Sequence, residues 1–330
     1  MRSFKLSRVA GFVFAATVTA SLISSSPAQA ADDFNHMVRI IVPNAAGGTS
    51  DILARLIAPK LSEAIGQTVI VENKPGAGGN VGADFVAKSP KDGHNIVLMD
   101  VGTLATAPSL FSNLTFDVEK DLAPVGMIMF VPYILAVNPS FPAKTVDELI
   151  SYSKANPGKV SVGNSGVGTI THLVGAIIAK EKGLQWKYIP YKGGAASSRA
   201  VVTGESNVVI NGATATAPFV SSGQLVGLAV SSKERMKNFP NLPTFREAGL
   251  PQPDAGSFQG VLTTGGTPPA VVKRLSDEII KILAQPDMQK KIAEQGGVIQ
   301  SAKPEGLRDW LQEYIKVFGD EIRAANIKVE

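Results

Sequence analysis

Short apolar runs alternate along the chain with longer segments in which apolar positions recur at helical spacing. Val38-Arg39-Ile40-Ile41-Val42 predicts a strand ended by a Gly-containing turn. From about Ser50 to Ile65, the residues Ile52, Leu53, Leu56, Ile57, Leu61 and Ile65 share one helical face. Pro59 lies inside that pattern and is expected to kink the helix or shift its start. Val69-Ile70-Val71 and Ile96-Val97-Leu98-Met99 read as the next strands, the second entered through the turn Asp92-Gly93. Thr145-Val146-Asp147-Glu148 opens a helix with capping-box spacing, and Pro157-Gly158 closes it. Val160-Ser161-Val162 leads through a Gly-rich loop to a helix over Thr169 to Lys182. Lys187-Tyr188-Ile189, Val208-Val209-Ile210 and Leu225 to Val230 read as further strands, and the tail as helices over Pro268 to Leu283, Pro286 to Glu294 and Pro304 to about Ala325. Strands alternating with helices predict an α/β fold of parallel βαβ units, which place ligand sites in loops at the carboxyl ends of strands.

Three stretches lack charge. Leu122 to Ala143 contains Pro124, Pro132, Pro139 and Pro142, which break a helix, so Val125–Val131 and Tyr133–Val137 are expected as two short buried strands meeting at Pro132. Ser206 to Ser232 is uncharged but rich in Ser, Thr, Asn and Gly, and neither stretch predicts a membrane span. The third is N-terminal: Arg2, Lys5 and Arg8 precede the apolar run Val9 to Ile23, and Ala28-Gln29-Ala30 follows. A basic start, a short apolar region and an A-x-A site make residues 1–30 a secretory signal peptide, cleaved before Ala31. The run is too short for a membrane anchor, which needs about 20 apolar residues.

At 330 residues, about two domains are expected. The formal charge of +4 comes from 32 basic and 28 acidic residues; setting aside the three basic residues of the leader leaves 29 against 28. A near-neutral body carries no electrostatic footprint for nucleic acid. Hydrophobic residues at 44% supply a core, and the absence of Cys removes disulfides, thiolate metal sites and a Cys nucleophile.

Four Gly-rich loops carry the chemistry. Pro43-Asn44-Ala45-Ala46-Gly47-Gly48-Thr49-Ser50-Asp51 is either an anion site at a helix N-terminus or a tight turn capped by Ser50 or Asp51. Asn73-Lys74-Pro75-Gly76-Ala77-Gly78-Gly79-Asn80-Val81-Gly82 superficially suggests a dinucleotide fingerprint, but Val81 stands at the third-Gly position and no Gly-Lys-Ser/Thr follows. Gly163-Asn164-Ser165-Gly166-Val167-Gly168 precedes Thr169-Ile170-Thr171-His172. Its amides and the Asn164, Ser165 and Thr169 side chains suit a carboxylate or, alternatively, cap the helix, with His172 as a hydrogen-bonded first-turn residue. Pro190-Tyr191-Lys192-Gly193-Gly194 offers the Tyr191 phenol, with Lys192 read as a solvated surface residue.

These motifs, in order, resemble the Bug-type receptors, the periplasmic substrate-binding proteins of tripartite tricarboxylate transporters. The matching segments are Pro-x-x-x-Gly-Gly-x-x-Asp at 43–51, Val-Glu-Asn-Lys-Pro-Gly-Ala-Gly-Gly-Asn-Val-Gly at 71–82, Asp-Gly-His at 92–94, Gly-Asn-Ser-Gly-Val-Gly-Thr-x-x-His-Leu at 163–173 and Pro-Tyr-Lys-Gly-Gly at 190–194. Leu-Ala-Val-Ser-Ser at 228–232, Leu-Pro-Thr-Phe-x-Glu-Ala-Gly at 242–249 and Gly-Thr-Pro at 266–268 extend the series over essentially all of the chain after the leader. The resemblance implies a bilobed, type II periplasmic-binding-protein fold. Residues 31–130 plus 251–330 would form one βαβ domain and 131–250 the other, joined by a crossing-strand hinge near Val125–Val137 and Leu250–Val261. It implies a carboxylate ligand held by Asn44, Gly47, Gly48, Gly79, Asn80 and Thr103 from one lobe. Asn164, Ser165, Gly168, Thr169, Tyr191 and Asn211 would complete the clamp from the other. A monomeric receptor in the periplasm, serving membrane permease subunits or a sensor protein, without cofactor or metal, is the implied setting.

Two departures are visible. The family often has Asp where this chain has Asn211, which weighs against a zwitterionic amino-acid ligand. It often has an aromatic-Phe-Gly segment where this chain has Phe258-Gln259-Gly260, so the cleft wall there follows a different pattern. The competing reading is a secreted hydrolase acting on a small carboxylate or ester. His36, His94 and His172 are dispersed without metal spacing, no Gly-x-Ser-x-Gly elbow occurs, and a Ser165–His172 pair has no acid placed to orient the imidazole. The sequence therefore reads as a receptor that binds without transforming.

Overall fold

The structure is a computed structural model that describes residues 34–251 and 256–325. The expected leader and its cleavage point before Ala31 lie outside the described residues. The chain from Phe34 onward forms one compact unit. Its first part runs β1 (Val38–Val42), α1 (Thr49–Ile65), β2 (Val69–Asn73), α2 (Asn80–Ala87), β3 (Asn95–Asp100), α3 (Val101–Leu110) and β4 (Leu122–Val137). Next come α4 (Val146–Ala155), β5 (Val160–Asn164), α5 (Ile170–Lys182), β6 (Trp186–Pro190), α6 (Gly194–Val202), β7 (Val208–Gly212), α7 (Ala213–Ser221) and β8 (Val226–Val230). It closes with β9 (Gly256–Thr264), α8 (Pro269–Leu283), α9 (Pro286–Glu294), β10 (Val298–Ala302) and α10 (Pro304–Ala325).

The strands follow one hydrogen-bonded path, β2-β1-β3-β9-β4-β7-β5-β6, with β8 and β10 also paired to β4. Pairing is parallel between β1 and β2, β1 and β3, β5 and β6, and β5 and β7. The expectation of parallel βαβ units thus describes the outer parts of the path. In its middle, β9 runs antiparallel to both β3 and β4, and β4 runs antiparallel to β7. Along β1 and β3, Ile41, Val97 and Met99 join one buried cluster, while Ile40, Val42, Ile96 and Leu98 join the other. Both faces are covered, as alternating side chains require of a strand buried on both sides.

The largest difference from the sequence reading is β4. The two short strands expected to meet at Pro132 are one strand of 16 residues. Proline has no N–H and is ordinarily excluded from a central strand. Here it sits where β4 changes neighbours. Residues up to Pro132 pair with β9, ending at Pro132 opposite Gly256, and the ladder with β7 begins at Tyr133 opposite Gly212. The first N–H beyond the proline, that of Tyr133, donates to Ser231 Oγ at 2.7 Å. Pro59 likewise leaves α1 as one helical element through to Ile65. Helices α3 and α7 carry no amphipathic stripe, because small and apolar residues are buried all round α3 and through the first turn of α7, so helical periodicity was silent about them.

The change of neighbours at Pro132 has a steric condition. A Cβ added at Gly256 would stand 2.0 Å from Phe130 Cε2. Gly256→Ala is expected to destabilise by about 1–3 kcal/mol, read as a lower urea midpoint; an unchanged midpoint would show that Phe130 swings aside freely.

Candidate functional site

The loop from β1 into α1 is held by one buried carboxylate. Asp51 is 3% exposed. It accepts from Gly47 N at 2.9 Å, from Asn73 Nδ2 at 2.9 Å and from Arg55 Nε at 3.0 Å. Asn73, at the end of β2, also donates to Asn44 O at 3.0 Å, so one pair of side chains ties the first and second Gly-rich loops together. Burial pushes the Asp51 carboxyl up, but the hydrogen bonds from Arg55, Gly47 and Asn73 and the Arg55 charge outweigh it and hold the group below the ordinary carboxylate range. Asp51 therefore fixes the loop without lending its charge to what the loop faces.

That loop faces a cavity of about 50 Å³, lined from the first part of the chain by Pro43, Asn44, Gly48, Thr49, Ser50, Gly78, Gly79, Met99, Asp100 and Thr103. Tyr133, Ser165, Thr169, Thr171, Gly194, Asn211, Gly212, Ser257 and Gln259 complete it. At about 10–15 Å³ per water, the space holds a few water molecules or one compact solute. Helices α1, α6 and α7 start on this lining without a side-chain hydrogen bond across the N-cap. Helices α2 and α5 start there too, but Asn80 N donates to Ala77 O, Val81 N to Gly76 O and Ile170 N to Thr103 Oγ1, so their first amides are engaged. An uncapped helix start presents backbone N–H groups and the positive end of its dipole. Among the described residues, no Lys, Arg or His lines the cavity.

The hydroxyls of Ser165 and Thr169 are committed elsewhere. Thr169 Oγ1 donates to Gly166 O at 2.8 Å and lies 2.9 Å from Thr171 Oγ1, which accepts from Ser165 N at 3.0 Å. Ser165 Oγ donates to Asn211 Oδ1 at 3.3 Å, and the Asn211 amide nitrogen donates to Gly194 O at 2.7 Å. The donors left to a solute are the backbone amides at the helix starts and the side chains of Asn44, Thr49 and Ser50 on the same lining.

One ionisable carboxyl lines it. Asp100 ends β3 and caps α3, accepting from Gly102 N at 3.0 Å and from the Tyr133 hydroxyl at 3.1 Å. Burial pushes its carboxyl up, while hydrogen bonds from Ser257, Tyr133 and the Gly102 and Thr103 amides pull it down; the balance stands at about 6. The sequence reading missed Asp100 because an Asp before a short helix reads as a cap, which it also is.

Of the residues assigned from sequence, the structure gathers Asn44, Gly48, Gly79, Thr103, Ser165, Thr169 and Asn211 on the cavity lining. It leaves Gly47, Asn80, Asn164, Gly168 and Tyr191 behind it. Gly47 donates to Asp51, and Asn164 Oδ1 accepts from Gly166 N at 2.9 Å, so both shape loops. Asn80 is a buried residue of the first turn of α2. Gly168 O accepts from Thr106 Oγ1 at 2.9 Å, and a Cβ on Gly168 would meet Phe111 at 2.8 Å. The Tyr191 hydroxyl is turned to Glu205 Oε1 at 3.0 Å and Ser206 Oγ at 2.9 Å. Lys192 is exposed. His172 Nδ1 accepts from Gly168 N at 3.4 Å, while Ser165 bonds to Asn211, so the two form no catalytic pair. The histidines are less dispersed in space than in sequence: His36 stacks on His94 with centroids 3.5 Å apart and planes 7° from parallel, beside Asp92. Stacked parallel rings send their in-plane lone pairs side by side, not to a common point.

Helix starts that converge at the carboxyl ends of strands are where α/β sheets bind ligands, and the similar solved structures place the fold in the periplasmic-binding-protein class. The sequence model described as "Tripartite tricarboxylate transporter family receptor" matches residues 53–327, and the chain belongs to that family. Its structure is similar to that of the periplasmic binding protein BugD, with a TM-score of 0.86, 32% identity and coverage of 90% of this chain and 100% of the other. Rpa4515 of R. palustris, solved with adipate, matches with a TM-score of 0.85 and 31% identity over 89% of this chain and 98% of its own. MatC of Rhodopseudomonas palustris, solved with bound malate, matches with a TM-score of 0.83 and 28% identity over 87% and 99%.

The raised Asp100 value has a definite sign. Its folded-state value near 6 exceeds the ordinary 3.8, so its contribution to stability is fully present below about 4 and is lost as pH rises through about 6. Relative to Asp100→Asn, the unliganded protein is expected to lose stability between pH 4 and 6, measured by urea denaturation at each pH. Parallel curves for the two proteins would place Asp100 at an ordinary carboxyl value.

Proposed function

We propose that the protein is a periplasmic solute receptor that captures a compact carboxylate and delivers it to the membrane permease subunits of a tripartite tricarboxylate transporter. The carrying observation is the set of three uncapped helix N-termini, those of α1, α6 and α7, on one small cavity with no basic side chain among the described residues that line it. Such a site stabilises an anion through backbone donors and dipoles held in place before the ligand arrives. Family membership and the adipate and malate seen in related structures support a carboxylate as that anion. The two lobes are taken as residues 31–130 plus 251–330 and residues 131–250, with the hinge at the crossings near Val125–Val137 and Leu250–Val261. The ligand leaves unchanged in this reading: Ser165 and His172, the pair a hydrolase would draw on, are bonded to other partners. The chain reaches the periplasm through the leader at 1–30, and mass spectrometry of the exported protein is expected to find Ala31 at its N-terminus; an intact leader would contradict this route.

A thermal-shift screen of the refolded mature protein against mono- and dicarboxylates tests the reading. A ligand at 100 times its dissociation constant stabilises by about 2.7 kcal/mol, and silence from every carboxylate would overturn the proposal. Site location is tested by Thr49→Pro. Proline is tolerated at a helix's first position and removes one N–H there, and Gly48 before it is already extended, at φ −82 and ψ 171. Affinity is expected to fall about tenfold, with a smaller loss in Thr49→Ala, which keeps the N–H. Tyr191→Phe, behind the lining, is expected to leave affinity within about twofold. The reverse order of effects would move the site to the Tyr191 loop.

A further inference from the structure

The cavity has a second pole. Asp100, Ser257, Gln259 and Tyr133 lie on three neighbouring strands, with Asp100 of β3 directly opposite Gln259 of β9 and Ser257 two residues along the same face. Gln259 is fully buried and lines the cavity, yet its Oε1 has no hydrogen-bond partner among the described residues.

The direction of the hydrogen bonds settles which end of the Gln259 amide is free. Asp100 accepts from Ser257, which has one hydroxyl proton to give. With that proton spent, Ser257 Oγ is the acceptor for Gln259 Nε2, 2.5 Å away. Turning the amide over would set two oxygens against each other. The unpartnered atom is therefore a carbonyl oxygen, at the end of a chain running from Gln259 through Ser257 to the Asp100 carboxylate. A carboxylate at the far end polarises such a chain and strengthens Oε1 as an acceptor. Asp100 also brings negative charge to a lining that has no basic side chain to offset it.

We propose that Gln259 Oε1, backed by Asp100 through Ser257, is a subsite for a cationic hydrogen-bond donor, and that this receptor's ligand is a compact carboxylate bearing a protonated amine. The inference rests on the carboxylate reading above and narrows it. The carboxylate takes the pole made by the helix N-termini and the ammonium takes the pole made by Gln259 and Asp100. A second carboxylate at that place meets an acceptor and a negative charge. Asn211 removes one acidic partner for an amine, as the sequence suggested, but Asp100 supplies another from a different strand.

The test is calorimetric titration of the refolded mature protein with ligand series that differ at one position: aspartate, malate and succinate, and β-alanine, 3-hydroxypropionate and propionate. Affinity is expected to fall from amine to hydroxyl to hydrogen, by at least about tenfold from first to last. Gln259→Leu and Asp100→Asn are each expected to shrink that ratio while the unaminated acid retains its affinity. If either variant fails to fold, the wild-type series still decides. An unaminated acid that binds as tightly as its amine in both series overturns this inference and leaves the carboxylate receptor standing. Silence from every compound overturns both.

Discussion

The structure depends on a single strand being shared. β4 is the only strand of the path that pairs with β9 and β10 over its first stretch and with β7 and β8 over its last, among the described residues. A sheet whose two ends each carry their own parallel units has to be joined somewhere, and a continuous buried strand joins them without exposing backbone donors. Pro132 fits this role because it withholds an N–H at the one place where the ladder changes hands. The residue after it, Tyr133, then carries the consequence into the cavity by setting its hydroxyl on Asp100. The junction of the sheet and the wall of the site are the same few residues, so β4 geometry and site geometry are coupled by construction.

The two buried aspartates of the site region show how burial and hydrogen bonding compete. At Asp51, a guanidinium and an amide side chain outweigh desolvation and the charge is compensated on the spot. At Asp100, every partner is neutral, and desolvation wins. Asp51 consequently behaves as a fastening, whereas Asp100 leaves its field in the cavity. The helix starts across from it supply partial positive charge through amides only. Asp100 is thus the one carboxyl among the described lining residues, set against those partial positive charges.

Much of this was legible in the sequence. Helix and strand periodicity located α1, α5, α8 and the strands they flank, because each has one face against the core and one against solvent. The capping box at Thr145 and Glu148 is present as its spacing predicted. Elements buried all round, such as α3, carry no periodicity, and a proline at a change of strand partner looks in sequence like a chain break. The Gly-rich loops were found because glycine marks close approach, and the ordered motif series pointed to the receptor family. Which loop residues face the cavity was less legible. Tyr191 and Ser165 both precede helices in polar loops, yet one turns to Glu205 and the other to the cavity. Gln259 stood out as a departure, but its free carbonyl depends on Ser257 and Asp100, contacts that no local pattern encodes.

The same loops also set the size of the cavity. Ala45 N donates to Lys192 O at 3.0 Å, and Ile170 N donates to Thr103 Oγ1 at 3.4 Å, so the loop after β1 meets the loop after β6 and α3 meets α5. A Cβ on Gly78 would stand 2.7 Å from Val167 O, which makes glycine the condition for the second and third loops to touch. These contacts are few and involve mainly neutral groups, each worth little once exchange with water is counted. The small cavity follows from these contacts: loops that approach to glycine distance leave only a compact space between them.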